Sequence, residues 1–212
     1  MKPAMSRQKQ NALTRVEVLV AIGVLIVLLG LLLPGLSRQT RLKSKRIGCF
    51  SNLKAIGFTI RFLATDHNDQ FPMQVLTNKT KSFKYLQAEE GIRYWQAMSN
   101  GLSIPKQVVC PADKRKVATN FAQLQLENVS YFLGQDAAED RPQALLVGDR
   151  NLTANGVPLK PGLVKFTTNV TLGWTATMHQ HKGNVILGDG SGMMPDTLRM
   201  SDHDGTKWLL IP

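Results

Sequence analysis

The chain has 212 residues, 43% of them hydrophobic, and a formal charge of +11, totals that suit one membrane element plus one modest globular domain. In residues 1–65 eleven Lys and Arg stand against Glu17 alone, a net of +10, whereas the remaining 147 residues come to +1. The basicity therefore flanks an apolar run, where cations attract anionic lipid headgroups at roughly 1 kcal/mol each. No aromatic-interleaved basic patch accompanies it, which argues against a nucleic-acid partner.

From Val16 to Leu33 the only charge is Glu17, and the next sixteen residues are apolar or glycine. A helix rising 1.5 Å per residue over this length covers most of a bilayer core of about 30 Å. The run ends in LLLPGLSRQTRLKSKR, which has no small-x-small cleavage site and continues basic, unlike a secretory signal. Both flanks are positive, so charge alone leaves the orientation open. Gly23 and Gly30 permit close helix–helix approach, and Pro34 removes a backbone donor and should kink the helix. Beyond it Ile47, Phe50, Leu53, Gly57, Ile60 and Ala64 recur at spacings of three and four, with Arg46, Lys54 and Arg61 off that stripe. The pattern predicts one helix from about Leu13 to Asp66, its first half in lipid and its second half on a globular body.

His67 to Pro72 (HNDQFP) is turn chemistry and ends the helix. A short helix is expected around Gly91–Ser99 and a loop at CPADKRK. Strands are then expected at Val129–Leu133, Ala144–Val147, Leu163–Thr168, Leu172–Met178, Asn184–Leu187 and Trp208–Ile211. Asp189-Gly190, after a β-branched run, is the pairing favoured in tight hairpins. The predicted fold is α+β: a long N-terminal helix, kinked near Pro34, packed on a small, mostly antiparallel sheet.

No phosphate-cradling loop, nucleophile elbow or paired-cysteine zinc signature is present. Cys49 and Cys110 are the only cysteines; a disulfide is permitted if the body lies outside the cytoplasm, and two buried thiols are the alternative. His179, His181 and Asp189 form a candidate ligand cluster, joined by Asp202, His203 and Asp204. Their spacing matches no metal motif, so a structural or solvent-exposed role is expected, with no cofactor and no metal. A calcium loop at SDHDG is the nearest alternative, although the EF-hand spacing is absent. Asn78, Asn128, Asn151 and Asn169 begin sequon-like triplets of the kind that arise by chance.

The segment NALTRVEVLVAIGVLIVLLGLLLPGLSRQ resembles the N-terminus of type IV pilins and type II secretion pseudopilins. There a basic leader ends in Gly, followed by Phe-Thr-Leu-Ile-Glu and an apolar helix. Ala12, Leu13, Thr14, Arg15, Val16 and Glu17 stand at the corresponding positions, with Ala12 for the glycine and Arg15 for an apolar residue. Later landmarks are similar to one bacterial pseudopilin-like group: RIGCFSNLKAIGFTIRFLATDHNDQFP, VCPAD, SYFLGQDA, LLVGDRNL, a His–nine residues–Asp-Gly signature (His179, Asp189, Gly190) and the final WLLIP.

The resemblance implies that prepilin peptidase cuts between Ala12 and Leu13 and that the new amino terminus of Leu13 is methylated. It divides the chain into a cytoplasmic leader (1–12), a transmembrane and filament-core helix (13–34), an amphipathic continuation (35–66) and an extracytoplasmic α+β domain (67–212). It implies a single-pass inner-membrane protein and a structural subunit rather than an enzyme. Its partners would be the peptidase, other pilin or pseudopilin subunits, the inner-membrane assembly platform and the bilayer. Glu17 and Pro34 would serve assembly, Glu17 by pairing with the amino terminus of a neighbouring subunit. An exported body would make a Cys49–Cys110 bridge expected, worth roughly 4 kcal/mol for a loop of that size. The alternative is an anchored binding domain, or a metal-dependent hydrolase using His179, His181 and Asp189, that never polymerises.

Overall fold

The computed structural model describes residues 14–75, 88–167, 169–203 and 206–212, apart from the side chains of 32–38 and 88–90. Two compact units divide the chain, Met1–Arg41 and Leu42–Pro212. Helix α1 runs from Arg15 to Thr65. Thr14 and Glu17 open it: the Glu17 carboxylate accepts from the Thr14 backbone N–H (2.7 Å) and hydroxyl (2.9 Å), while the Glu17 N–H donates to Thr14 Oγ1 (3.3 Å). This is a capping box, which satisfies backbone donors that the first turn leaves without partners.

Two expectations for this helix are corrected. Among the described residues no helix is long and apolar enough to cross a membrane. Taken whole, α1 is a polar helix carrying Arg15, Glu17, Arg38, Arg41, Lys43, Lys45, Arg46, Lys54 and Arg61. The helical backbone runs on through Pro34, so the proline does not interrupt α1, and the Ala12–Leu13 cut falls outside the described residues.

The buried seam of α1 also differs from the expected stripe. Cys49, Leu53, Ile56, Ile60 and Ala64 are buried, whereas Ile47 is 63% exposed and Phe50 only half-buried. Spacings of four, three, four and four follow the 3.6-residue turn as well as the expected set does, and Cys49 belongs to the seam as a small hydrophobe. Full burial of Leu53, Ile56 and Ile60 contributes about 1.5–3 kcal/mol each. Arg46 and Arg61, expected off the stripe, flank the seam and fasten it. Arg46 donates to the carbonyls of Gly183 (2.8 Å) and Met194 (2.8 Å), and Arg61 to that of Gly188 (2.6 Å).

Glycines set how closely α1 approaches the body. A Cβ at Gly57 would meet Ile186 Cγ2 at 2.8 Å, one at Gly192 would meet the Phe50 ring at 2.5 Å, and one at Gly101 would strike the Thr59 methyl.

The single small sheet is corrected to two antiparallel sheets. A six-stranded sheet has the order β5-β10-β1-β2-β7-β8, from Gly162–Lys165, Trp208–Ile211, Tyr131–Gly134, Leu145–Asp149, Val185–Leu187 and Gly192–Met193. A four-stranded sheet has the order β4-β3-β6-β9, from Val157–Pro158, Leu152–Ala154, Thr171–Trp174 and Leu198–Arg199. One core lies between the larger sheet and α1 with α2 (Ala88–Ala97), and is anchored by Tyr94, Trp95, Leu133, Val147 and Ile186. A second core lies between the two sheets, with Phe132, Val185 and Leu209 facing Leu172, Trp174 and Leu198. Strands β1, β2 and β7 are thus buried on both faces. That explains why YFLG, LLVGD and VIL show no polar alternation: neither face meets water.

Candidate functional site

Four side chains from four separate segments converge beneath α1: Cys49 on the helix seam, Cys110 in the CPAD loop, Asp149 at the end of β2, and His179 in the loop after β6. One donor atom from each lies within 4.8 Å of the other three, and all four residues are buried. The Cys49 sulfur is 2.9 Å from Asp149 Oδ1, the Cys110 sulfur 3.2 Å from His179 Nε2, and that nitrogen 3.5 Å from Asp149 Oδ2. Both cysteines are free thiols.

Each member is held by its own local structure. Asn184 donates its backbone N–H and its Nδ2 to Asp149 Oδ2, both at 2.9 Å. The Ala112 N–H points at the Cys110 sulfur (3.4 Å), and the Tyr131 hydroxyl lies 3.5 Å from that of Cys49. The Cys110 loop closes through Asp113 N–H to the Cys110 carbonyl (2.9 Å). Asp113 then grips Arg150, the residue after Asp149, through a two-pronged pair at 2.8 and 2.9 Å, and accepts from the Ser130 hydroxyl (2.9 Å). One carboxylate so ties the Cys110 loop to the Asp149 strand. After His179 the backbone enters the left-handed region twice, at Gln180 (φ +54°) and His181 (φ +63°). Non-glycine residues sit there at a cost of order 1 kcal/mol or more each, and such strain concentrates at functional sites.

The electrostatics of the cluster are coupled. Burial pushes the Asp149 carboxyl up to about 7 against the opposing pull of the His179 charge. Burial likewise pushes the Cys49 thiol well up, and its hydrogen bond to Cys110 adds to the rise. That same hydrogen bond from Cys49, aided by His179, brings the Cys110 thiol down. For His179 burial acts downward, but the contacts with Cys110 and the Asp149 charge outweigh it and leave the imidazole raised.

A Cys–His–Asp set suggests a nucleophile and its base, but the connectivity argues against a relay. In a triad the carboxylate orients the imidazole nitrogen remote from the nucleophile. Here Cys110 and Asp149 both face Nε2, and His179 Nδ1 is buried without a hydrogen-bond partner among the described residues. The four donor atoms are close enough together for the group to be able to hold a metal ion.

The expected candidates divide. Of His179, His181 and Asp189, only His179 joins the cluster. His181 Nδ1 contacts the Trp174 carbonyl (3.2 Å). Asp189 accepts from the Ser191 N–H (2.7 Å) in the turn joining β7 to β8, where Gly190 has φ +84°. The His179 and Asp189-Gly190 signature thus pairs one cluster residue with one turn. His203 is buried with Nδ1 3.1 Å from the Gln143 carbonyl, Asp202 accepts from Ser201 Oγ (3.0 Å), and Asp204 lies outside the described residues. Sequence reading missed Asp149. Its signal was an acid closing a fully apolar strand, LLVGD, where an ionisable group goes uncompensated unless partners meet it.

No family model, no curated protein and no solved structure matches the chain.

Proposed function

We propose that the chain is a pseudopilin-like structural subunit that joins a filament through the first part of α1 and carries its folded body on the filament surface, with no catalytic role. The observation behind this reading is the described stretch Val16–Leu31, whose large apolar side chains are exposed to between 43% and 73%. Exposed apolar surface of this extent marks an interaction site, and a helix that repeats one heterologous contact builds an open helical array. The N-terminal resemblance supplies the rest of the reading: a prepilin peptidase cut between Ala12 and Leu13, and Glu17 as the charge that meets a neighbour's new amino terminus.

The capping box makes this test sharper than an alanine substitution allows. Hydrogen bonds from Thr14 hold the Glu17 carboxyl below its usual value, so it is ionised at neutral pH. Glutamine at the third helical position also completes a capping box, but carries no charge. Glu17→Gln therefore keeps the helix start and removes only the docking charge. The expected result is a mature chain lacking residues 1–12 that fails to enter filaments. Assembly of Glu17→Gln at the wild-type level would end the docking role, and a mature mass retaining Met1–Ala12 would end the processing claim.

A further inference from the structure

We propose that Cys49, Cys110, Asp149 and His179 form a closed structural site for one divalent cation of borderline softness, zinc being the best fit. Two thiolates, one imidazole and one carboxylate make a set that zinc takes tetrahedrally, with Zn–S near 2.3 Å and Zn–N or Zn–O near 2.0–2.2 Å. Such bond lengths place neighbouring donors about 3.3–3.8 Å apart. The Cys49 Sγ–Asp149 Oδ1 and Cys110 Sγ–His179 Nε2 separations, 2.9 and 3.2 Å, lie within roughly half an ångström of those edges, and all four donors lie within 4.8 Å of one another.

Cys49, Cys110 and Asp149 carry the outer contacts of metal ligands, whereas His179 Nδ1 has no partner among the described residues. Asn184 fixes Asp149 through Oδ2, leaving Oδ1, the oxygen beside Cys49, to the cation. The Ala112 N–H and Tyr131 hydroxyl address the two sulfurs, the outer contacts that orient metal ligands. A groove of about 460 Å³ lined by Gly48, Asn52, Cys110 and Pro111 reaches the Cys110 side and offers an entry path. The cation also answers a cost that the ligands impose together. Three acidic groups buried around one imidazole repel one another when ionised, and a doubly positive ion replaces that repulsion with coordination. Binding displaces the thiol protons to solvent. The site pins helix, loop and sheet at one point, so its role is to hold α1 to the body.

The full-length chain, purified under reducing conditions, is expected to carry one zinc per chain by elemental mass spectrometry. After chelation, cobalt(II) should restore the visible bands of a tetrahedral ion with thiolate charge transfer in the near ultraviolet. The thermal midpoint should rise with zinc concentration. Cys110→Ser should lose the metal and the charge-transfer band, whereas His181→Ala should keep both. Asn184→Ala should bind zinc 10–100-fold more weakly with the band retained. If Cys110→Ser does not fold, the cobalt titration of the wild-type chain and the Asn184→Ala affinity decide. A folded wild-type chain with under a tenth of an equivalent of zinc after refilling overturns the proposal. So does a Cys49–Cys110 disulfide that persists under reductant. Filament assembly is not part of this readout, so the site and the subunit role stand or fall separately.

Discussion

Gly134→Ala is expected to be the most damaging single-methyl change in the body. Gly134 ends β1, pairs with Leu209 of β10, and lies against Leu145 of β2. A Cβ there would land on the Leu145 carbonyl oxygen, with the Leu146 oxygen 3.3 Å away. These are backbone atoms of the adjoining strand, so no side chain can swing clear. Strand β1 sits between β10 and β2 near the centre of the sheet, and opening that seam disturbs both cores. Overpacking ordinarily costs 1–3 kcal/mol, and a backbone collision in a central strand should exceed this, at about 4 kcal/mol. That is a large part of the 5–15 kcal/mol that holds a typical domain together. The melting temperature should fall by about 10 °C, on the order of 2–4 °C per kcal/mol at this size. Gly156→Ala is the comparison: its φ of +84° disfavours a side chain, but nothing lies within 4 Å. It should lose only about 1–2 kcal/mol. Equal melting curves for the two variants would overturn the β1–β2 pairing.

Asp113→Ala should cost about 3 kcal/mol, because it leaves the Arg150 guanidinium in place without its carboxylate. The Asp113 and Arg150 side chains are 5% and 25% exposed, so little water compensates the loss. The same pair predicts an acid dependence. Burial pushes the Asp113 carboxyl up, but the hydrogen bonds and charge of Arg150, with the Ser130 hydroxyl and the Lys114 N–H, outweigh it and hold the group below its ordinary value. A carboxyl lowered on folding contributes stability that is present above its unfolded value and lost as pH falls through its folded value. Urea midpoints of the wild-type chain should therefore decline across that acid window. Those of Asp113→Ala should be low at neutral pH and decline less. Parallel pH profiles would show that the pair contributes nothing to the linkage.

Much of the body was legible because long apolar runs announce themselves. Strands at Tyr131–Gly134, Leu145–Asp149, Gly162–Lys165, Thr171–Trp174, Val185–Leu187 and Trp208–Ile211 start within two residues of where the runs placed them, although the expected Leu163–Thr168 and Leu172–Met178 run on past the observed strand ends at Lys165 and Trp174. Strands β3, β4, β8 and β9 are two or three residues long, too short to carry a period of two, so of the second sheet only β6 left a pattern. The cluster was illegible for a different reason. Zinc motifs are recognised by ligands a few residues apart on one turn or helix, whereas Cys49, Cys110, Asp149 and His179 come from distant segments that only the tertiary fold unites. His179 was named for the wrong company, beside His181 and Asp189. Glu17 was read from its apolar surroundings, although the T-x-x-E spacing with Thr14 spelled a helix start in the residues themselves.

The three glycine approaches along the lower half of α1 have a mechanical consequence. Gly57 against Ile186 and Phe50 against Gly192 act as notches on one side of the helix, and Thr59 against Gly101 as a notch on another. A smooth apolar seam lets a helix slip along its axis or roll about it, with little change in buried area. Here a shift of one residue would drive a side chain into a neighbour at several notches together. Twist or tension applied to α1 is therefore passed to the sheet as a rigid key passes torque to a lock, and the grip yields all at once or not at all.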